Sequence, residues 1–317
     1  MRGVFLDLDS LDRGDLNLTS FKGCLDDWQF YNQSNAKVIA ERIAGAQVVV
    51  SNKVMLDAAA IKAGTSLQLI CVAATGTNNV DLQAAHQQGI IVCNARDYAT
   101  PSVVQHVFAL ILSLTIQLPR YQQAVHEGRW QQSEQFCLLD YPITELAGKI
   151  LGVIGYGVLG HAVAQAAQAF GMRVVIADHK GQVPRAGRLA FEQVLQQADV
   201  ITLHCPLTPA TQGLIGAAEL AMMKPSALLI NAARGGIVDE SALVDVLERK
   251  VIAGAGVDTL TTEPPRDGNP LLDVSLPNLI VTPHIAWASR ESRQRMIDEV
   301  AHNIRAFLAG TPRNRVV

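Results

Sequence analysis

The chain has no surplus of basic residues: Lys plus Arg total 26 against 29 Asp plus Glu, a formal net charge of -3 over 317 residues. With no basic excess to neutralise a phosphate backbone and no block of like charges, nucleic-acid binding is not expected as a principal role. Long hydrophobic runs are also missing. Mean hydropathy is +0.19, yet the most apolar stretch, residues 107–118, is interrupted by Ser113, Thr115 and Gln117 and stops at Pro119. It is too short to span a bilayer and reads as a buried helix, so no membrane partner is expected. Nor is a secretory leader, because Met1-Arg2 runs into VFLDLD, with acids where a leader has its apolar centre. Cysteines are few and odd in number. Cys24, Cys71, Cys93, Cys137 and Cys205 are scattered and never form a C-x-x-C pair. That pattern gives no reason to expect a metal site and points to a reduced, cytoplasmic protein. Internal repeats and low-complexity tracts are absent as well.

What is present is an alternation of short β-branched runs with longer helical stretches, the pattern of an α/β protein built on doubly wound parallel sheets. The length predicts two domains. In the first hundred residues the pattern predicts strands over 4–8, 47–50, 69–72 and 90–92, with helices over 36–44 and 81–88. A Pro-initiated apolar helix comes next over 101–118, Pro being tolerated in a first helical turn. The Gln- and aromatic-rich segment 119–142 reads as a loop. Further strands are predicted over 150–154, 173–177, 200–203, 227–231, 254–258 and 279–282, and an amphipathic helix over 288–308.

Residues 151–160 read LGVIGYGVLG, with Gly155, Gly157 and Gly160 in the G-x-G-x-x-G spacing. Three glycines at that spacing carry little weight alone. Here an apolar strand precedes them, an Ala-rich helix over 161–170 comes after, and the next strand runs into Asp178, eighteen residues beyond Gly160. This is the context of a dinucleotide-binding turn. Gly155 permits the turn, Gly157 lets backbone approach a pyrophosphate, and Gly160 lets helix and strand close up. Tyr156, Val158 and Leu159 complete the loop, and the helix N-terminus faces the phosphates. Asp178 is expected to accept hydrogen bonds from the adenosine ribose, favouring NAD over NADP. Lys180 is the cation placed to soften that preference.

Ligands in open α/β sheets bind beyond the carboxyl ends of the strands. Just past the strands of the second series stand His204-Cys205-Pro206, Arg234, Asp258 with Glu263, and His284. Each has an ordinary structural alternative. Together they supply a fixed cation, an acid–base imidazole and a carboxylate beside a hydride carrier, which is what reduction of an anionic carbonyl compound requires.

The run Asn231-Ala232-Ala233-Arg234-Gly235-Gly236, then Gly256-Val257-Asp258 with Glu263-Pro264, then Thr282-Pro283-His284 resembles the D-2-hydroxyacid dehydrogenases that use NAD(P). The resemblance covers nearly the whole chain. It implies a flavodoxin-like substrate domain from residues 1–99 and 288–317, a Rossmann NAD-binding domain from 100–287, and a cleft between them. It implies that Arg234 binds the substrate carboxylate and polarises the carbonyl, that His284 exchanges the proton, and that Glu263 orients His284. Ala232, Ala233, Arg234, Asp258 and His284 would also line the cofactor, Asp258 as partner of the nicotinamide carboxamide. Formate dehydrogenases of this fold have an amide where this chain has Glu263, which argues against that branch.

The stretch Ala73-Ala74-Thr75-Gly76-Thr77-Asn78-Asn79-Val80-Asp81 looks like the glycerate dehydrogenase (hydroxypyruvate reductase) subgroup. It implies that Ala74, Thr75 and Gly76 hold the substrate carboxylate through their N–H groups. One departure is visible: many relatives have an acid where this chain has Gln105. Neither Gln105 nor His106 is assigned a catalytic role; both are expected to line the cleft. Asn52 and Lys53, at a strand end, are candidates to face the cleft, and Trp287 to shape the substrate pocket or to pack in the core. The expected partners are a small 2-oxo or 2-hydroxy acid and a second copy of the chain. Dehydrogenases for 3-phosphoglycerate or D-lactate are the nearest alternatives. The end of the chain soon after the last helix leaves no room for the regulatory domain of many phosphoglycerate enzymes. From another class, a dinucleotide-sensing protein like the corepressors of this fold would keep the same residues. Turnover of NADH with 2-oxo acids separates the two.

Overall fold

The computed structural model describes all 317 residues. They form two compact units, Met1–Ala99 with Ala288–Val317, and Thr100–Trp287.

The first unit runs β1 (Arg2–Phe5), α1 (Thr19–Lys22), β2 (Asp27–Phe30), α2 (Ile39–Ile43), β3 (Val48–Ser51), α3 (Ala58–Ala63), β4 (Leu69–Val72), α4 (Leu82–Gln87) and β5 (Ile91–Asn94). All five strands are parallel, in the flavodoxin-like order β2-β1-β3-β4-β5. β3 (VVVS) and β4 (LICV) are buried at every position, the continuous apolar run of a strand covered on both faces. Short helices start on side-chain caps: Asp57 accepts from the Ala60 N–H at 2.8 Å and Asp81 from the Ala84 N–H at 2.9 Å. The C-terminal residues extend this sheet. The Val316 N–H donates to the Val92 carbonyl at 2.7 Å, and the Val92 N–H to the Val317 carbonyl at 3.1 Å. The strand β2 is absent from the sequence-based expectation. Its residues DWQF alternate exposed and half-buried at the sheet edge, so they lack an apolar run.

The second unit contains α5 (Thr100–Thr115), α6 (Leu118–His126), β6 (Ile150–Ile154), α7 (Val158–Ala169), β7 (Arg173–Ile176), α8 (Phe191–Gln197), β8 (Val200–Leu203), α9 (Ala217–Met222), β9 (Leu228–Asn231), α10 (Glu240–Glu248), β10 (Gly254–Val257) and β11 (Leu279–Val281). The chain then enters α11 (Arg290–Leu308) of the first unit, which packs on β4 and α1. Six parallel strands lie in the order β11-β10-β9-β8-β6-β7. A further parallel bridge, Ala177 to Leu189, continues the sheet beyond β7. The strand order reverses between β6 and β8, and that switch point is where such sheets bind ligands.

The apolar helix α5 is a core helix. Gly254 and Gly256 on β10 leave room for it: a Cβ at Gly256 would stand 3.0 Å from Leu110 Cβ, and one at Gly254 3.4 Å from Leu114 Cδ2. No single helix is long and apolar enough to cross a membrane. The segment expected as a loop from 119 onward begins instead with a helix. Gln117 takes a left-handed conformation (φ 54°) that ends α5's path, and Pro119 falls in the first turn of α6. The proline that reads as a stop is here part of a start.

Candidate active site

The glycine loop comes after β6 at the switch point. Gly155 has φ +92°, and a Cβ there would lie 2.5 Å from the Cys205 nitrogen and 2.6 Å from the His204 carbonyl carbon. Only glycine fits both the dihedral and the space. A Cβ at Gly160 would stand 2.1 Å from the Gly155 oxygen, so the helix is drawn tight against the turn. At Gly157, by contrast, a Cβ would meet nothing within 4 Å. The open side of the loop is therefore the side that a ligand can approach. Helix α7 starts at Val158 rather than at 161, with Gly157 as its N-cap, so its N-terminus lies inside the motif. Its first N–H groups have no partners within the helix. Val158 is exposed, and Tyr156 meets the His161 ring edge-on at 5.5 Å. Two glycines closing the turn, one leaving it open and a helix N-terminus behind it fit a dinucleotide pyrophosphate.

Asp178 stands two residues beyond β7, buried, and its carboxylate is already engaged. Arg185 forks over it, with Nη2 at 2.6 Å from Oδ1 and Nε at 2.9 Å from Oδ2. The backbone N–H groups of Arg185 and His179 donate at 2.8 and 2.9 Å. The guanidinium and these N–H groups hold the carboxyl well below its usual range. Lys180 turns away, its Nζ 2.8 Å from Glu219 Oε1.

His204 comes directly after β8. Its Nε2 lies 2.9 Å from Thr202 Oγ1, while Nδ1 is buried without a partner. Burial pushes its pKa down to about 4, so the ring is neutral at pH 7. Cys205 is half-buried and Pro206 exposed.

Arg234, Glu263 and His284 come after β9, β10 and β11. The turn carrying Arg234 is fixed by Asn231, whose Oδ1 accepts from the Ala233 N–H at 3.1 Å and whose Nδ2 donates to the Arg234 carbonyl at 3.0 Å. The next residue, Gly235, lies so close to Leu260 that a Cβ would be 2.0 Å from its carbonyl carbon. Leu260 in turn donates its N–H to Glu263 Oε1 at 2.8 Å, and Glu263 Oε2 lies 2.6 Å from His284 Nδ1. One continuous set of contacts thus joins the arginine turn to the imidazole. The Arg234 side chain is exposed and donates only to the Ala233 carbonyl, at 2.7 Å. His284 has φ +53°, an uncommon conformation for a non-glycine residue. Its N–H donates to the Asp258 carbonyl at 2.8 Å, which helps hold it there.

Asp258 is buried, and its oxygens accept from Thr282 Oγ1 at 2.5 Å and from the N–H groups of Ile285 and Ala286, each at 2.9 Å. His106 Nε2 lies 3.3 Å from Asp258 Oδ1 and 3.0 Å from Thr282 Oγ1. Burial pushes the Asp258 carboxyl up, but the bonds from His106, Thr282, Ala286 and Ile285 outweigh it and leave the pKa below its ordinary value. His106 is expected from the sequence only to line the cleft; its partners lie far along the chain, and no local motif marks them. Gln105 is exposed and Trp287 half-buried.

In the first unit, Asn52 is buried and serves the loop: its Nδ2 donates to Ser10 Oγ at 3.0 Å. The N–H groups of Asn52, Lys53 and Val54 all donate to the buried Asp7 carboxylate. Beyond β4, the carbonyls of Ala74 and Thr75 are tied by the Ala95 N–H at 3.0 Å and by Asn94 Nδ2 at 2.7 Å. The N–H groups of Ala74, Thr75 and Gly76 form no hydrogen bonds.

A dinucleotide turn with a carboxylate-supported histidine and an exposed arginine, all at the carboxyl end of one parallel sheet, fits an oxidoreductase of the nicotinamide-dependent class. The family model of the D-isomer specific 2-hydroxyacid dehydrogenase NAD-binding domain matches residues 108–286. The chain is 47% identical over 313 residues to the glycerate dehydrogenase of Methylorubrum extorquens, covering 99% of this chain and 98% of that one. It is 38% identical to the hydroxypyruvate reductase of Blautia hydrogenotrophica, covering 100% and 99% of the two. Among solved structures, the TT0316 protein of Thermus thermophilus superposes with a TM-score of 0.86 at 33% identity, covering 100% of both chains. The chain belongs to the D-2-hydroxyacid dehydrogenase family and is an NAD-dependent oxidoreductase of the CH–OH group of 2-hydroxy acids.

Proposed function

We propose that the chain interconverts D-glycerate and hydroxypyruvate, and reduces glyoxylate at the same site. The observation that carries the site assignment is the Glu263–His284 contact at 2.6 Å, joined through Leu260 to the turn of Arg234. The choice of substrate is supported by the names of two relatives that match this chain over nearly all of its length.

Bound NAD(H) supplies the hydride acceptor or donor. The glycine loop with Gly155, Tyr156, Gly157, Val158, Leu159 and Gly160 would hold its pyrophosphate. His204, Cys205, Pro206, Ala232, Ala233 and Asp258 would line it, with Asp178 at the ribose. Arg234 binds the substrate carboxylate in bidentate fashion and polarises the adjacent carbonyl. The resemblance also assigns Ala74, Thr75 and Gly76, whose N–H groups are free, to substrate binding. In reduction, His284 gives a proton from Nε2 to the oxygen at C2; in oxidation the same atom accepts it. Glu263, fixed at both oxygens, keeps Nδ1 occupied and so leaves Nε2 as the reacting nitrogen.

The active form is a homodimer in the cytoplasm on this reading. Trp130, Phe136, Leu139 and Ile143 are all more than half exposed along one segment of the second unit, an apolar surface suited to a second copy. Steady-state rates with hydroxypyruvate, glyoxylate, pyruvate and 3-phosphohydroxypyruvate test the substrate assignment. Hydroxypyruvate should give the highest kcat/KM; preference for pyruvate or the phosphorylated acid by tenfold or more would overturn it. Binding of NADH without turnover of any of the four would favour the sensor reading.

A further inference from the structure

The acid at the end of β7 ordinarily selects NAD by accepting the ribose hydroxyls and repelling a 2′-phosphate. In this chain it is saturated. Oδ1 of Asp178 accepts from the His179 N–H and from Arg185 Nε and Nη2, and Oδ2 accepts from the Arg185 N–H and Nε. Four N–H donors, with that of Arg185 Nε shared between both oxygens, thus take up the roughly four lone-pair positions of a carboxylate. Ribose hydroxyls must compete with a bidentate guanidinium for it.

The charge balance changes too. Arg185 places a permanent positive charge 2.6 Å from the carboxylate, so the ribose end of the site carries a neutral pair instead of a bare anion. The arginine uses Nε and one N–H of Nη2 on Asp178, which leaves three of its five guanidinium N–H donors unpaired. Its side chain is 57% exposed, while that of Asp178 is 1% exposed, so the cation is the outer member of the pair. Lys180, nearer in sequence, is spent on Glu219.

We propose that Arg185 is a cofactor-specificity residue: held on Asp178, it cancels the acid's repulsion and offers its free N–H donors to a 2′-phosphate, so the chain binds NADP(H) as well as NAD(H). The inference rests on the β7 end being the adenosine-ribose site.

Equilibrium titration of the enzyme with NAD+ and with NADP+, by calorimetry and without substrate, tests it. The unaltered chain should bind both, and Arg185→Ala should weaken NADP+ by about tenfold or more while NAD+ binds as well as before or better. Arg185→Lys keeps the charge without the fork and should retain much of the NADP+ affinity. Lys180→Ala should change neither. An Arg185→Ala variant whose NADP+ to NAD+ affinity ratio is unchanged would overturn the proposal, as would an unaltered chain that binds NAD+ and not NADP+. Failure to bind NAD+ as well would overturn the assignment of the ribose site along with it.

Discussion

Glu263 Oε2 lies 2.6 Å from His284 Nδ1, and the other oxygen of the same carboxylate accepts the Leu260 N–H at 2.8 Å. The carboxylate is therefore fixed at both ends, and the imidazole inherits its orientation from a backbone atom. Glu263→Gln keeps a hydrogen-bonding side chain but removes the charge. It should lower kcat for hydroxypyruvate reduction by about 10–100-fold, part of the range that general acid–base catalysis supplies. The dissociation constant for NADH, read from its fluorescence on binding, should stay within about twofold. A parallel loss of NADH affinity would show that Glu263 shapes the cofactor site instead.

Arg234 offers an exposed guanidinium bound to nothing but the Ala233 carbonyl. A lysine ammonium cannot present the same planar pair of donors to a carboxylate. Arg234→Lys should lose about 100-fold or more in kcat/KM for the 2-oxo acid while NADH affinity stays nearly unchanged. Equal losses in both would show that Arg234 acts through the cofactor and not on the substrate carboxylate.

His106 Nε2, 3.3 Å from Asp258 Oδ1, is one of four groups that keep the buried Asp258 charged, beside Thr282, Ile285 and Ala286. Removing one donor from a buried carboxylate costs about 1–3 kcal/mol. His106→Leu should lower stability by that order in denaturant titration, and it should weaken NADH binding if the Asp258 loop lines the cofactor. His106→Gln can still donate and should recover much of both. Unchanged stability in the leucine variant would mean that the remaining three donors suffice.

The pH dependence of stability carries a signature of His204. Its folded pKa of about 4 lies below the ordinary 6.5, so the unfolded chain binds more protons between those values. The folded state keeps its full advantage above pH 6.5 and loses it progressively as pH falls towards 4. A displacement of that size is worth up to ~3 kcal/mol. The Tm of the cofactor-free protein should thus fall between pH 6.5 and 4, and His204→Gln should flatten that slope. Equal slopes in the two proteins would contradict the neutral, buried ring.

Residues whose neighbours in sequence are also their neighbours in space are legible from the sequence alone. β4, β6 and β8 fall on their expected residues because each is a run of apolar side chains buried on both faces. The glycine turn, Arg234, Glu263 and His284 are legible because strand ends place them on one edge. β2 is not, since an edge strand with exposed Asp27 and Gln29 has no apolar run. α6 is hidden by Pro119, which ends a pattern in sequence but fits a first helical turn. His106 and Arg185 escape for a different reason. Their importance comes from carboxylates they reach through folding, His106 from helix α5 to the end of β10 and Arg185 over a turn seven residues long.

Proton transfer by His284 is the step on which reduction depends most. Single-turnover mixing of the enzyme–NADH complex with hydroxypyruvate, tracked by loss of nicotinamide absorbance, compares the unaltered chain with His284→Gln. Decay should be rapid in the first and slower by about 10²–10⁴-fold in the second, with NADH affinity nearly unchanged. A His284→Gln enzyme that reduces hydroxypyruvate at a rate within a few-fold of the unaltered chain would contradict proton transfer by His284.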